Sequence, residues 1–326
     1  DLGYYDGKYP ERIEINNGDI LISWSASLGV YVWNRGKALL NQHIFKVVFD
    51  KVEINKRYFV YAVQFKLKEM EAKAHGATMK HIVKKDFDST LIPYPSLKEQ
   101  SRIAETIDSI AKSINMRQKQ LQKLDDLIKA RFVELFASVE AEDTLQTLCT
   151  FIDYRGKTPE KVESGLPFIT AKNIRMHRMS FDTLEYISKE TYDRVMTRGF
   201  PQIGDVVFTT EAPLGNVCRI PFIETEFYIG QRIITMQTER LEPAYLEYAL
   251  SSDEFKRKIA EKSSGSTVTG IRSKLLEQLT IPVPPRALQE RFAAFVTQAD
   301  KSKAAVQKAL DEAQLLFDSL MQKYFQ

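Results

Sequence analysis

Two stretches of this chain, 189 residues apart, carry the same device, and each commits a large share of the chain to one long helix. The first reads Ile92-Pro93-x-Pro95, then Gln100-x-Arg102-Ile103. Apolar residues follow at Ile103, Ile107, Ile110, Ile114, Leu121, Leu124, Ile128 and Leu135, with Arg117 and Arg131 in the two vacant slots. Steps of three and four sustained this long predict a coiled coil or a long helix pair. Ser96 and Glu99 have capping-box spacing, and the prolines keep the chain extended just upstream. The second copy reads Ile281-Pro282-x-Pro284, then Gln289-x-Arg291-Phe292. Its stripe is Phe292, Val296, Ala299, Val306, Leu310, Ala313, Phe317, Leu320 and Tyr324, interrupted at Lys303. A helix over 97–136 is about 60 Å long. A small domain cannot bury such a stripe, and the second copy is the natural partner. The expected arrangement is an antiparallel coiled coil of two related modules about a pseudo-two-fold axis.

The repetition extends upstream of the helices. Gly76-Ala77-Thr78 returns as Gly265-Ser266-Thr267, and Gln42 returns as Gln231. Gly18-Asp19-Ile20 returns as Gly204-Asp205-Val206, and Ala26-Ser27-Leu28-Gly29 as Ala212-Pro213-Leu214-Gly215. Strands are expected at Asp19–Trp24, Val30–Trp33, His43–Phe49, Gly165–Thr170 continuing through Ala171–Arg175, Gly204–Thr210 and Phe227–Gln237. Helices are expected at Arg57–Ala72 and Pro243–Lys262. The fold class is α+β, with two tandem mixed globules separated by the conserved helices. The boundaries read 1–95, 96–141, 142–285 and 286–326. The first globule has no counterpart of residues 142 to about 186, so its opening segment reads as missing. The chain also opens on Asp1 rather than a methionine, as a processed, truncated or partly represented protein does.

No enzyme chemistry emerges from the pattern. His43, His75 and His81 lack metal-ligand spacing. Gly156-Lys157-Thr158 resembles the tail of a phosphate-binding loop, but the upstream glycine is misplaced. There is no nucleophile elbow. Cys149 and Cys218 have no metal spacing and suit a reducing cytoplasm as small core residues. No apolar run is long enough to span a membrane. The formal net charge of +3 neither requires nor excludes a polyanionic partner. What remains is a set of polar residues in turns and strand ends that suits nucleic acid. In the second unit these are Arg155, Lys157, Thr158, Lys172, Asn173, Arg175, Thr210, Gln231, Arg232, Ser266, Thr267 and Thr269. In the first they are Ser25, Gln42, His43, Thr78, Lys80 and His81. Arg, Asn and Gln match base edges, while Lys, Ser and Thr match phosphate. Each is also explicable as a solvated turn or a cap. The paired helices would hold the two globules roughly one to two DNA turns apart, at about 34 Å per turn.

The two Pro-x-Pro…Gln-x-Arg copies, together with Asp153-x-Arg155-Gly156-Lys157-Thr158-Pro159 and the Gly-Asp-(Ile/Val) strands, resemble the specificity subunits of type I restriction–modification enzymes. The resemblance covers nearly the whole chain, twice over. It implies a non-catalytic subunit with two target-recognition domains, each reading half of a bipartite DNA site. The helices would act as ruler and as docking surface for methyltransferase subunits. Those partners would hold S-adenosylmethionine, and this chain would carry no cofactor and no metal. A translocating restriction subunit would join them. Two other readings remain. One is a coiled-coil scaffold, or a half-active truncated specificity protein, that no longer reads DNA on one side. The other is a stand-alone enzyme.

Overall fold

The computed structural model describes residues 6–24, 28–73, 87, 89–154, 156, 158–230, 232–263 and 270–326. The chain forms two compact units, 1–121 with 305–326, and 122–304. Both long helices contribute one half to each unit.

The first unit contains β1 (Glu14–Ile15), β2 (Ile20–Ser23), β3 (Gly29–Val32), β4 (Ala38–Leu39), β5 (Ile44–Lys46), α1 (Lys56–Lys73) and the first part of α2 (Leu97–Phe136). Strands β3, β2 and β5 form an antiparallel sheet in that order, and β1 pairs with β4. The turn into β2 is set by Gly18 at φ 91°, with the Asp19 carboxylate accepting the Asn16 N–H at 2.8 Å. Ile22 packs on Val63 and Leu67 of α1. The opposite side of α1 places Tyr58 and Ala62 against Ile103 and Ile107 of α2 and against Met321 and Phe325 near the end of the chain.

The second unit contains β6 (Glu142–Thr144), α3 (Leu145–Leu148), β7 (Thr150–Asp153), β8 (Leu166–Ile169), β9 (Ile174–Arg175), β10 (Arg178–Met179), β11 (Glu185–Ile187) and α4 (Lys189–Val195). It continues with β12 (Val206–Thr209), β13 (Val217–Arg219), β14 (Tyr228–Ile229), β15 (Ile233–Gln237), α5 (Pro243–Ser251), α6 (Asp253–Lys262), α7 (Ser273–Glu277), β16 (Thr280–Pro282) and the first part of α8 (Arg286–Phe325). Its central sheet is antiparallel in the order β13-β12-β15-β7. Both faces of that sheet are covered, so Val206–Thr209 is buried at every position instead of alternating. One face packs Val206, Phe208 and Ile234 on Tyr245, Leu246, Phe255, Phe136, Phe292 and Val296. The other packs Val207, Cys218 and Ile233 on Ile169, Ile174, Met179 and Ile229. Burial pushes both cysteine thiols up to about 12. Among the described residues no helix is long and apolar enough to cross a membrane.

The repeated glutamine has the same job in both units. Gln100 is fully buried; its carbonyl accepts the Asn55 N–H at 2.9 Å and its amide donates to the Pro95 carbonyl at 2.8 Å. Gln289 accepts the Glu242 N–H at 2.9 Å and donates to the Pro284 carbonyl at 2.9 Å. Tyr58 and Tyr245 donate to the carbonyls of Pro93 and Pro282 at 2.9 and 2.6 Å. Each Pro-x-Pro segment is thus tied both to the long helix it precedes and to the helix, α1 or α5, that packs on it.

Within each unit the long-helix segments pack antiparallel. In the first, Ile103 and Ile107 are buried with Met321 and Phe325. In the second, Phe132 and Phe136 meet Phe292 with ring centroids 5.4 and 5.5 Å apart. The predicted seam residues Ile128, Phe292 and Val296 are buried, while Ile110, Ile114, Leu121, Leu124, Val306, Leu310, Phe317 and Leu320 are half-buried. Lys303, the interruption, pairs with Asp125 at 2.8 Å. The Arg131 guanidinium pairs with Glu134 and lies over the Phe295 ring.

Four local expectations are corrected. The helix expected over Pro243–Lys262 is two helices, because Ser252 adopts an extended conformation and caps α6 through the Phe255 N–H at 3.1 Å. The strand expected over Phe227–Gln237 is split between β14 and β15, which lie in different sheets, and Arg232 between them has φ 66°. The strand expected to run through Arg175 stops at Ile169, because the Asn173 side chain caps the Thr170 N–H at 2.9 Å and closes a 3-10 turn at Ala171–Asn173. Ser96 accepts the Glu99 N–H at 3.3 Å, but the Glu99 carboxylate turns to Arg102 at 2.9 Å, so only half of the capping box forms.

Replacing Gln289 by Ala leaves the Glu242 N–H and the Pro284 carbonyl buried without partners. The expected loss is about 2 kcal/mol, given about 1–3 kcal/mol for an orphaned buried polar group. Urea unfolding of Gln289→Ala with the wild-type midpoint would show that the clamp contributes nothing.

Candidate nucleic-acid interface

One end of the β13-β12-β15-β7 sheet adjoins Thr210 and Arg232, two of the polar candidates of the second unit. Antiparallel pairing puts the end of β7, the start of β15, the end of β12 and the start of β13 together there. β7 ends at Asp153, shortly before Gly156 and Thr158 in the chain, and β15 begins just after Arg232. The end of β12 leads into Thr210, and Gly270 bridges Glu211 just beyond it. Arg155, Lys157, Gln231, Ser266, Thr267 and Thr269 themselves lie outside the described residues.

This sheet end is backbone-strained. Among the described residues three that are not glycine have positive φ: His177 at 59°, Ala212 at 45° and Arg232 at 66°. All three belong here. His177 donates its N–H to the carbonyl of Val217, the first residue of β13, at 2.8 Å. Sparsely populated backbone conformations persist only where surrounding contacts enforce them, and they concentrate at functional sites.

The side chains sort into two groups. Asn173 and Thr210 are buried and internally satisfied, which corrects their expected role as DNA contacts. Asn173 donates to the carbonyls of Ser180 and Thr183 at 3.0 and 3.3 Å. Thr210 donates its N–H and its hydroxyl to the Arg232 carbonyl at 2.8 and 3.2 Å. The other group faces outward. Thr158, Lys172 and Arg175 are exposed, and the Arg232 side chain is 52% exposed while pairing with Glu211 at 3.0 Å. Lys172 is 77% exposed, with Glu185 4.0 Å away. Arg198 steadies the end of β7 by donating to the Asp153 carbonyl at 2.7 Å. Ser273 donates to the Asp153 carboxylate at 3.0 Å.

The first unit has a smaller equivalent. Ser23 of β2 pairs with Gly29 and with Ile44, so Trp24 and His43 flank the same end of the β3-β2-β5 sheet. The Trp24 ring stacks on Phe45 at 5.9 Å and lies 5.6 Å from the His43 ring. Gln42 and His43 are exposed, with Gln42 Nε2 3.3 Å from His43 Nε2. Ser25, Thr78, Lys80 and His81 lie outside the described residues. Among the described residues no group of three or more His, Cys, Asp or Glu side chains is placed to hold a metal ion.

Sequence reasoning missed Arg178 and His177. Taking 171–175 as strand hid the Arg175-x-x-Arg178 spacing that brackets a two-residue turn.

The two α+β units share a glutamine-clamped start of a long helix and a loop-bearing sheet end, which defines a duplicated, modular protein. The sequence model described as "Type I restriction modification DNA specificity domain" matches residues 7–126 and 144–314. The chain belongs to that family and carries the domain twice. It is 23% identical to the type I restriction enzyme EcoBI specificity subunit of Escherichia coli, covering 99% of this chain and 76% of that one. It is 22% identical to the MjaVIII specificity subunit of Methanocaldococcus jannaschii, covering 92% and 78%. The fold matches that of the type I system S subunit from M. genitalium with a TM-score of 0.58 at 17% identity, over 99% of this chain and 87% of that one. A second solved structure, from work on complex assembly and conformational transition of the type I system, matches with a TM-score of 0.55 at 19% identity, over 98% and 84%.

The division between buried and outward-facing candidates is testable by stability alone. Asn173→Ala removes a cap and the bonds that close the β9–β10 base, and is expected to cost about 1–2 kcal/mol. Lys172→Ala is expected to leave the unfolding midpoint within about 0.5 kcal/mol of wild type. Equal effects of the two substitutions in thermal unfolding would overturn the division.

Proposed function

We propose that this chain is the sequence-reading subunit of a type I restriction–modification complex, and that the loop-bearing sheet end of each unit faces DNA. The observation that carries the reading is the convergence, in the second unit, of separate loops and the three positive-φ non-glycine residues found among the described residues on one sheet end. The contacting side chains would come from that end: Thr158, Lys172, Arg175 and Arg232, with Gln42 and His43 on the first unit. Two readers imply a split target. Chemistry belongs to partner subunits: a methyltransferase carrying S-adenosylmethionine, and a translocating nuclease. The complex would work in the cytoplasm, where the DNA is.

The methyltransferase would dock on the outer surface of the long helices. Leu127 and Leu316 lie 189 residues apart, off the apolar seam, and are 51% and 50% exposed. Exposed leucines at equivalent positions of both copies serve no packing purpose within the chain and suit one apolar contact for each of two partner subunits.

Two experiments test this. Co-expression with the methyltransferase, followed by genome-wide mapping of methylated adenine, is expected to reveal a bipartite motif. A continuous motif, or no methylation, would sink the two-reader reading. In the same complex, Arg232→Ala should weaken binding to that motif by about 1–3 kcal/mol if it reads a base edge. Leu127→Asp combined with Leu316→Asp is expected to leave the subunit folded and abolish co-elution with the methyltransferase. Normal co-elution would exclude this docking surface.

A further inference from the structure

On the β9–β10 ribbon Arg175 stands directly opposite Arg178, while Ile174 stands opposite Met179. Alternation along the strands sends the second pair inward, where both residues are buried in the core, and the arginine pair outward, where both are exposed. Directly opposed residues have Cβ atoms about 5 Å apart, and like charges in that relation repel. Among the described residues neither guanidinium has a carboxylate within ion-pairing distance, and the Arg175 bond is a 3.4 Å contact with the Ile174 carbonyl. Neighbouring surface cations are matched: Lys161 with Glu185 and Arg232 with Glu211.

The ribbon is also mounted more firmly than its length warrants. Its turn is Met176–His177, with positive φ at the second residue alone. Two-residue hairpins that hold themselves together place positive φ at the first turn residue or at both. This one is held from outside. His177 donates its N–H to Val217, its Nδ1–H to Glu247 at 2.8 Å, and its ring stacks on Tyr248 with centroids 4.2 Å apart. Asn216 donates to the Ile174 carbonyl at 2.9 Å, and Asn173 closes the base.

A firmly held ribbon that presents two exposed arginines side by side, with no carboxylate partner among the described residues, is a site for an external anion. We propose that Arg175 and Arg178 clamp one phosphodiester of the DNA backbone, and that His177 is the positioning residue that presents them. This rests on the DNA-recognition function above and assigns part of that surface to backbone rather than base contact. Two planar forks on one face match phosphate oxygens, and the phosphate charge removes the repulsion that the free ribbon sustains.

The test uses the full chain assembled with its methyltransferase, and fluorescence anisotropy on two duplexes across a range of KCl. One duplex holds the methylated motif and the other is unrelated. Arg175→Gln and Arg178→Gln are each expected to lower affinity about tenfold on both duplexes and to reduce the salt slope by about 1. Wild-type affinity and slope in both variants would overturn the clamp while leaving recognition intact. Loss confined to the motif duplex with an unchanged slope would also overturn it, by making the pair base readers. Failure of the wild-type complex to bind either duplex would instead overturn the recognition function itself. His177→Leu is expected to weaken binding, and to add nothing further in the Arg175→Gln/Arg178→Gln background. An additive loss would show that His177 acts elsewhere. If the leucine variant does not fold, His177→Gly, which tolerates φ 59° without strain, makes the same comparison.

Discussion

A single buried side chain fixes where each long helix begins. Gln100 and Gln289 each bond a proline carbonyl on the segment entering the helix and a backbone N–H at the start of α1 or α5. An amide can do this because it carries donor and acceptor on one planar group. A carboxylate at the same place lacks the donor, and an aliphatic residue leaves two buried backbone groups without partners. The Pro284 carbonyl needs such a partner because it lies beyond the last residue of β16 and has no ladder bond. With this junction fixed, the phase of the helix is fixed too. Phe292 then faces Phe132 and Phe136, and Ile103 faces the Phe325 end of the chain.

The second consequence concerns where variation is tolerated. Both faces of the β13-β12-β15-β7 sheet are committed to packing, one on α5, α6 and the long helices, the other on the β8–β10 layer. A sheet buried on both faces has only its ends left for loops that differ without altering the core. Positive φ at His177, Ala212 and Arg232 shows that the backbone at one such end is shaped by tertiary contacts rather than by local preference. Such an end suits the recognition role proposed for it.

The same division explains what could be read from the sequence. The long helices, their seams, the duplication and the Gly-Asp turns were legible because each rests on local periodicity or a repeated residue. Gly18 and Gly204 adopt φ 91° and 92°, as a repeated turn glycine should. The errors fall where a distant contact overrides the local pattern. Asn173 reads as an exposed polar residue in an extended run, yet it is buried because Ser180 and Thr183 return to meet it. Thr210 is taken up by Arg232, twenty-two residues away in the chain. Ser252 splits a run that is apolar on both sides, because an extended serine caps the second helix better than it continues the first. The β9–β10 ribbon was invisible for the same reason: its turn is stabilised by Glu247 and Tyr248, and nothing within 174–179 announces it.

The Glu247 carboxylate does more than hold His177. It is 2% exposed, and burying a charge costs heavily unless it is paired and hydrogen-bonded. Its second oxygen accepts from Arg219 Nε at 2.6 Å, and Arg219 Nη2 reaches Asp300 of α8 at 3.1 Å. A chain of charge-assisted bonds therefore runs from the turn of the arginine ribbon, through β13, to the long helix. An apolar contact at these positions would stabilise the unit as well, but it would permit sliding. Directional bonds between fixed groups do not, since each has one good geometry. The ribbon is in this way referenced to the helix that follows the glutamine clamp. An arginine pair proposed to clamp a phosphodiester needs such a reference within its own domain, because a forked contact displaced by an ångström is lost.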